Sequence, residues 1–106
     1  MSYRFMRVIV FFDLPTVTTA DRREYAKFRR RLMKSGFMMI QESVYSKLAL
    51  NSTQVAQIVG EVQKIRPEKG LVQVLTVTEK QYSKMTLLCG KGNSNVLDTD
   101  ERLVIL

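Results

Sequence analysis

The sequence predicts an α+β domain with the split βαββαβ order of ferredoxin-like folds, plus an extra C-terminal strand. Three observations predict it. The chain is 106 residues long, enough for one domain only. Two segments repeat apolar residues at helical spacing, and apolar strand-like runs precede, separate and follow them. Two helices on one face of an antiparallel sheet make the split βαβ arrangement, whereas a doubly wound sheet needs more βα units than this chain holds. A domain this small has a modest stability margin, so burial of a further surface in a homodimer is expected. Residues 1–80 are expected to form the core, and residues 81–106 a strand-like tail that packs on the partner subunit.

Met6 to Phe12 reads as a buried strand, because Val8, Ile9, Val10, Phe11 and Phe12 form a continuous apolar run. Asp13 follows just past it, and Pro15 turns Leu14 away from helical backbone. Thr18 or Thr19 caps a helix running to Ser35, with Gly36 as its stop. Tyr25, Phe28 and Leu32 make a narrow apolar stripe along that helix. At about 100° per residue, Arg23, Lys27, Arg30 and Lys34 fall opposite the stripe with Arg31 beside them, forming a cationic ridge.

Residues 37–50 are strand-like, as one bent strand or two short ones, with Met38, Ile40, Val44, Tyr45 and Leu48 as core candidates. Asn51-Ser52 caps a second helix, Thr53 to Ile65, in which Val55, Ile58, Val59, Val62 and Ile65 share a face. Pro67 prevents its continuation. Leu71 to Val77 is a β-branched apolar strand. Met85 to Cys89 reads as a further short strand with Cys89 a buried small hydrophobe. After a turn at residues 90–95, Leu103, Val104, Ile105 and Leu106 form an apolar end to be paired or buried, against a second subunit.

Seventeen Lys and Arg against ten Asp and Glu give a formal charge of +7, which favours nucleic acid first and an anionic membrane second. A merely soluble basic protein has the same balance, so the placement of the cations decides. There is no histidine, which excludes imidazole metal sites, Ser-His and Cys-His nucleophile pairs, and histidine acid–base catalysis. Chemistry is left to carboxylates with a hard cation, or to Lys, Arg, Tyr or Ser. Cys89 is the single cysteine; no intramolecular disulfide forms, which suits a reducing cytoplasm. The apolar run at Val8–Phe12 is too short for a signal-peptide core or a membrane span. A soluble cytoplasmic protein with no membrane partner is expected. Lys91 in its Gly-Lys-Gly turn lacks the spacing of a nucleotide-binding loop.

The first strand ends in Val10-Phe11-Phe12-Asp13-Leu14-Pro15, a helix rich in Arg and Lys follows directly, and Gln41-Glu42-Ser43-Val44-Tyr45 lies in the second strand region. Together, over residues 6 to 78, these resemble the second CRISPR-associated protein family, the small adaptation subunit that partners the CRISPR integrase. The matching family patterns are a strand ending in aromatic-Asp-aliphatic and a Gln-x-Ser-Val-aromatic segment. The Phe-Phe-Asp-Leu-Pro form and the extended tail look like members from type II systems. Phe12 stands where many members carry Tyr, so no role of that hydroxyl carries over.

The resemblance implies a homodimer that bridges integrase subunits on double-stranded DNA, or RNA, during spacer acquisition. It also makes Asp13 the match for the family's metal-site aspartate, as catalytic and metal-binding residue. From the residues alone, Asp13 is either a functional ligand or a turn cap. With the resemblance, two copies across a dimer axis put two carboxylates together, a site suited to Mg²⁺ or Mn²⁺. Such an ion polarises a phosphate and activates water. The sequence shows no second acid clustered with Asp13, so weak endonuclease activity is the most to expect. The ridge of Arg23, Lys27, Arg30, Arg31 and Lys34, extended by Arg4 and Arg7, is expected to hold phosphates without reading bases; a solvated charged face is the alternative. Ser43 reads as a local hydrogen-bonding residue rather than a nucleophile. Two other functions stay open: a stand-alone, toxin-like Mg²⁺-dependent endoribonuclease, and a generic RNA-binding module. The module stacks bases on exposed strand aromatics, whereas Phe11, Phe12 and Phe37 sit in apolar runs that read as core.

Overall fold

The structure is a computed structural model and describes residues 5–90. Its elements run β1 (Met6–Asp13), α1 (Thr19–Lys34), β2 (Met38–Gln41), β3 (Val44–Ala49), α2 (Ser52–Ile65), β4 (Leu71–Thr78) and α3 (Glu79–Ser83). The four strands form one sheet in the order β2-β3-β1-β4, antiparallel at every step. The α+β class and the βαββαβ order are as predicted. A strand over residues 85–89 is not formed; that stretch is irregular, and the short helix α3 stands before it. Arg4, the turn after Gly90 and the apolar end Leu103 to Leu106 lie outside the described residues.

The continuous apolar run of β1 follows from its central place between β3 and β4. Its registers pair Val10 with Tyr45 on one side and with Val74 on the other. Alternation sends Val8, Val10 and Phe12 to one face. There they meet Phe28 and Leu32 of α1, Ile58 and Val62 of α2, and Tyr45 and Ala49 of β3. Ile9, Phe11 and Asp13 belong to the other face. Asp13 is the last residue of β1, paired with Leu71, rather than a residue just beyond the strand. Phe11, expected in the core, is only half-buried on that second face.

Each helix end has a local cause. Asp21 donates its backbone N–H to Thr18 Oγ1 at 2.9 Å, and Thr18 N–H returns the bond to the Asp21 carboxylate at 3.2 Å, a capping box. At the other end Gly36 (φ +96°) donates to the Met33 carbonyl and Phe37 to that of Leu32. This is a Schellman stop with buried Leu32 and Phe37 as its apolar contact. Asn51 caps α2 through the N–H of Gln54, and extended Arg66 before Pro67 ends it. A second capping box, Thr78 with Gln81, starts α3.

Arg7 holds α3 in place. Its Nε and Nη2 reach the Glu79 carboxylate at 2.9 and 2.6 Å, and its guanidinium lies 4.5 Å from the centre of the Tyr82 ring. Arg7 is therefore committed to the fold and does not extend the cationic ridge. Hydrogen bonding to Glu79 raises its pKa above the ordinary value, against a smaller lowering by burial. The guanidinium stays charged through the ordinary pH range, and its contribution is lost only as pH rises through that raised value.

Residues 37–50 fold as two strands joined at Glu42-Ser43. Tyr45 is fully buried, but Met38 and Leu48, expected in the core, are 60% and 39% exposed. Their registers, Met38 with Ser46 and Leu48 with Arg7, place both on the face away from α1 and α2. Leu71 and Leu75 of β4 are exposed on that same face. Cys89 is exposed rather than buried.

Gly70 (φ +92°) stands just before β4, hard against the end of β1. A Cβ there would stand 2.6 Å from Leu14 Cδ2 and 2.8 Å from the Asp13 carbonyl oxygen. Gly70→Ala is expected to destabilise the protein by roughly 2–4 kcal/mol, combining a left-handed alanine with overpacking. The check is a lower denaturant midpoint at unchanged slope; a wild-type midpoint would show that the loop yields freely.

Candidate functional site

Where β1 ends, three elements converge. Asp13 of β1, Thr16 of the following loop, Arg22 and Tyr25 of α1, and Glu42 and Ser43 of the β2–β3 turn line an open cavity of about 420 Å³. Phe12 fixes the orientation of its neighbour. Its ring centre lies 5.0 Å from Phe28, 5.7 Å from Tyr45 and 5.8 Å from Tyr25, so alternation turns Asp13 outward.

The β2–β3 turn is tied to this corner by two bonds. Phe12 N–H donates to the Ser43 carbonyl at 3.1 Å, and Ser43 Oγ shares a 2.9 Å hydrogen bond with the Tyr25 hydroxyl. Ser43 has φ +70°, a left-handed backbone that costs a non-glycine about 1–2 kcal/mol. It is a positioning residue, as its expected local role implies. Next to it, Arg29 Nε donates to the hydroxyl of buried Tyr45 at 2.8 Å, and that bond raises the Arg29 pKa above its ordinary value. Arg22 Nη1 donates to the carbonyls of Thr16 and Val17 at 3.1 and 2.9 Å. Although it lines the cavity, Arg22 thus serves the loop. Asp13 and Glu42 carry no ion pair; among the described residues the single one is Arg7–Glu79.

Glu42 was not anticipated. No second acid was expected near Asp13, yet Glu42 lines the same cavity. The signal lay in Gln41-Glu42-Ser43-Val44-Tyr45, but only the pairing of Phe11 with Val44 carries that turn to the end of β1. Carboxylates with the neighbouring Ser43 and Thr16 hydroxyls are hard oxygen donors, the type that Mg²⁺ and Mn²⁺ take. Among the described residues, however, no group of three or more His, Cys, Asp or Glu stands close enough to hold an ion.

The ridge lies along α1. Arg23, Arg30, Arg31 and Lys34 are exposed and Lys27 is half-buried. Lys27, Arg30, Arg31 and Lys34 border a shallow depression of about 640 Å³, with Met33 as its remaining lining residue and no acid. Arg23 lies outside that depression. No helix among the described residues is long and apolar enough to cross a membrane.

Substitutions at Ser43 separate backbone strain from hydrogen bonding. Ser43→Ala is expected to cost about 1 kcal/mol through the lost bond to Tyr25. Ser43→Gly loses the same bond but relieves the left-handed backbone, so it should lie close to wild type. Equal loss in both, read from denaturant midpoints, would show that the turn stores no strain.

The family profile described as "CRISPR associated protein Cas2" matches residues 6–85. A Treponema denticola protein named "CRISPR-associated endoribonuclease Cas2" is 57% identical over 101 residues, covering 95% of this chain and 100% of its own. One of the same name from Streptococcus mutans serotype c is 44% identical over 101 residues, covering 95% of this chain and 93% of its own. A solved structure described as "Crystal structure of cas2" superposes with a TM-score of 0.57 at 19% identity, covering 85% of this chain and 92% of that one. At that identity the likeness concerns the fold alone.

Proposed function

The chain belongs to the Cas2 family of CRISPR-associated proteins, and on that premise we propose that it is a homodimeric scaffold of ferredoxin-like fold that binds nucleic acid in spacer acquisition and bridges subunits of the CRISPR integrase. The observation that carries this reading is the acid-free depression on α1 between Lys27, Arg30, Arg31 and Lys34. Cations on a helix face hold the phosphate backbone and carry no base code, so duplex binding is independent of sequence and sensitive to salt. Base stacking is the weaker alternative: of the three strand aromatics, Phe12 and Phe37 are buried and only Phe11, half-buried, stands on the sheet face away from the helices. A second copy of the chain is the proposed cover for the sheet face where Met38, Leu48, Leu71 and Leu75 stand exposed. Pairing of the tail end, Leu103 to Leu106, with the partner subunit belongs to the same reading, as does membership of a type II system on the Phe-Phe-Asp-Leu-Pro form.

A second reading is favoured by the relatives' names, "CRISPR-associated endoribonuclease Cas2", and by the shared cavity of Asp13 and Glu42. Asp13 from each of two copies, with Glu42 beside it, is then the oxygen set for Mg²⁺ or Mn²⁺. Such an ion, when bound, polarises a phosphate and activates water for attack. The chain's own residues do the positioning: the ridge holds the backbone, and Ser43 with Tyr25 fixes the turn that carries Glu42. So few carboxylates make slow cleavage the expectation.

Two measurements test these readings on the full chain. In duplex binding, Arg30→Gln with Lys34→Gln is expected to lower the slope of log affinity against log salt by about 1.8, at 0.9 for each phosphate contact. Affinity that stays flat from low to high salt overturns the nucleic-acid reading. Asp13→Ala should retain duplex binding and, with the cognate integrase, spacer integration, while losing Mg²⁺-dependent RNA cleavage. Cleavage that survives in a clean preparation of that variant removes Asp13 from the chemistry. Integration lost by a still-dimeric variant makes the carboxylate part of the integration reaction itself.

A further inference from the structure

We propose that the cleft between α1 and the α2–β4 loop is a second phosphate-binding site, continuous with the α1 depression, which takes the nucleic-acid backbone as it leaves the ridge. The proposal rests on the nucleic-acid reading above and carries the contact surface onto a segment far from α1 in sequence. The cleft measures about 400 Å³ and is lined by Lys27 and Arg31 from the helix and by Arg66 and Lys69 from the loop. Lys27 and Arg31 also border the α1 depression, so the two sites adjoin through shared cations. They stand one turn apart on the helix, about 6 Å along its axis, which suits a backbone that passes from one site to the other.

None of the four cations belongs to an ion pair among the described residues, where Arg7–Glu79 is the single one. Arg66 gives one bond to the Gln63 carbonyl at the end of α2, which leaves most of its five N–H groups free for an anion. Glu24 and Glu68 line the same cleft. Asp21 also does, but its carboxylate is held in the cap of α1. Four unpaired cations against two uncommitted acids keep an excess of positive charge. The loop presents its cations from a fixed base: Pro67 restricts the backbone after Arg66, and Gly70 packs directly on Leu14 and Asp13.

The test is binding of a labelled random-sequence DNA duplex by the full-length protein over a range of salt. Arg66→Gln with Lys69→Gln is expected to lower the log–log salt slope by about 1.8, as much as the ridge pair Arg30→Gln with Lys34→Gln. Lys69→Gln alone, which leaves the Arg66 bond to α2 intact, should lower it by about 0.9. Lys80→Gln with Lys84→Gln removes the same charge from the α3 end and should leave the slope unchanged. Glu68→Gln should tighten binding at low salt. If the cleft variants change the slope no more than the α3 pair while the ridge pair lowers it, the track ends on α1 and this proposal falls with the nucleic-acid reading intact. If the ridge pair also leaves the slope unchanged, both fall together.

Discussion

The ring of Phe12 is the point on which the end of the sheet depends. It packs against Phe28 and Tyr25 of α1 and against Tyr45 of β3, so one side chain joins three elements. Such pairs, edge-to-face with Phe28 and Tyr25 and stacked with Tyr45, contribute about 0.5–1.5 kcal/mol beyond the area they bury. Since neighbouring strand residues point to opposite faces, sinking Phe12 into the core is also what presents Asp13 to solvent. The backbone N–H of Phe12 then fastens the β2–β3 turn through Ser43. A phenylalanine needs no polar partner in this position, where a tyrosine would bring a hydroxyl into the core. Among the described residues no buried side-chain oxygen or nitrogen lacks a hydrogen bond.

Periodicity made most of this architecture legible. The stripe of Tyr25, Phe28 and Leu32 and the face of Val55, Ile58 and Val62 are signals that local packing alone enforces, and both pack as predicted. Gly36 and Asn51 likewise have local roles that need no tertiary context. What stayed hidden depended on the sheet. Met38 and Leu48 are apolar residues on strands and read as core, yet which face of a strand receives helices is a property of the assembled sheet. The α3 helix left only a Thr-x-x-Gln capping pattern, since five residues show no helical period. Glu42 became a neighbour of Asp13 only through long-range pairing.

The charge on α1 is not one pool. Seven cationic residues lie on that helix, and Arg22 and Arg29 are committed to the loop carbonyls and to Tyr45. Elsewhere Arg7 serves Glu79, and Lys47 caps the end of α1 at the Ser35 carbonyl. A net charge of +7 is equally compatible with cations used up in this way and with cations left open to a ligand. Placement separates the two: the residues facing the core and the loops are bonded, and those on the outer side of α1 have no side-chain bond among the described residues. The face that meets solvent is therefore the one with charge to offer a polyanion.

On the proposed reading, dimerisation and cation binding are one problem rather than two. Asp13 pairs across the sheet with Leu71, so both belong to the face that neither α1 nor α2 covers. The apolar groups of that face gain by being buried, whereas a lone carboxylate carried under with them does not, because an unpaired buried charge is costly. In the proposed dimer, where the two Asp13 carboxylates would meet, their repulsion would oppose the contact. A divalent cation held by both carboxylates would offset that repulsion. Under that proposal, bound metal would strengthen the dimer and the dimer would complete the metal site. By linkage, each equilibrium would then shift the other by the same free energy.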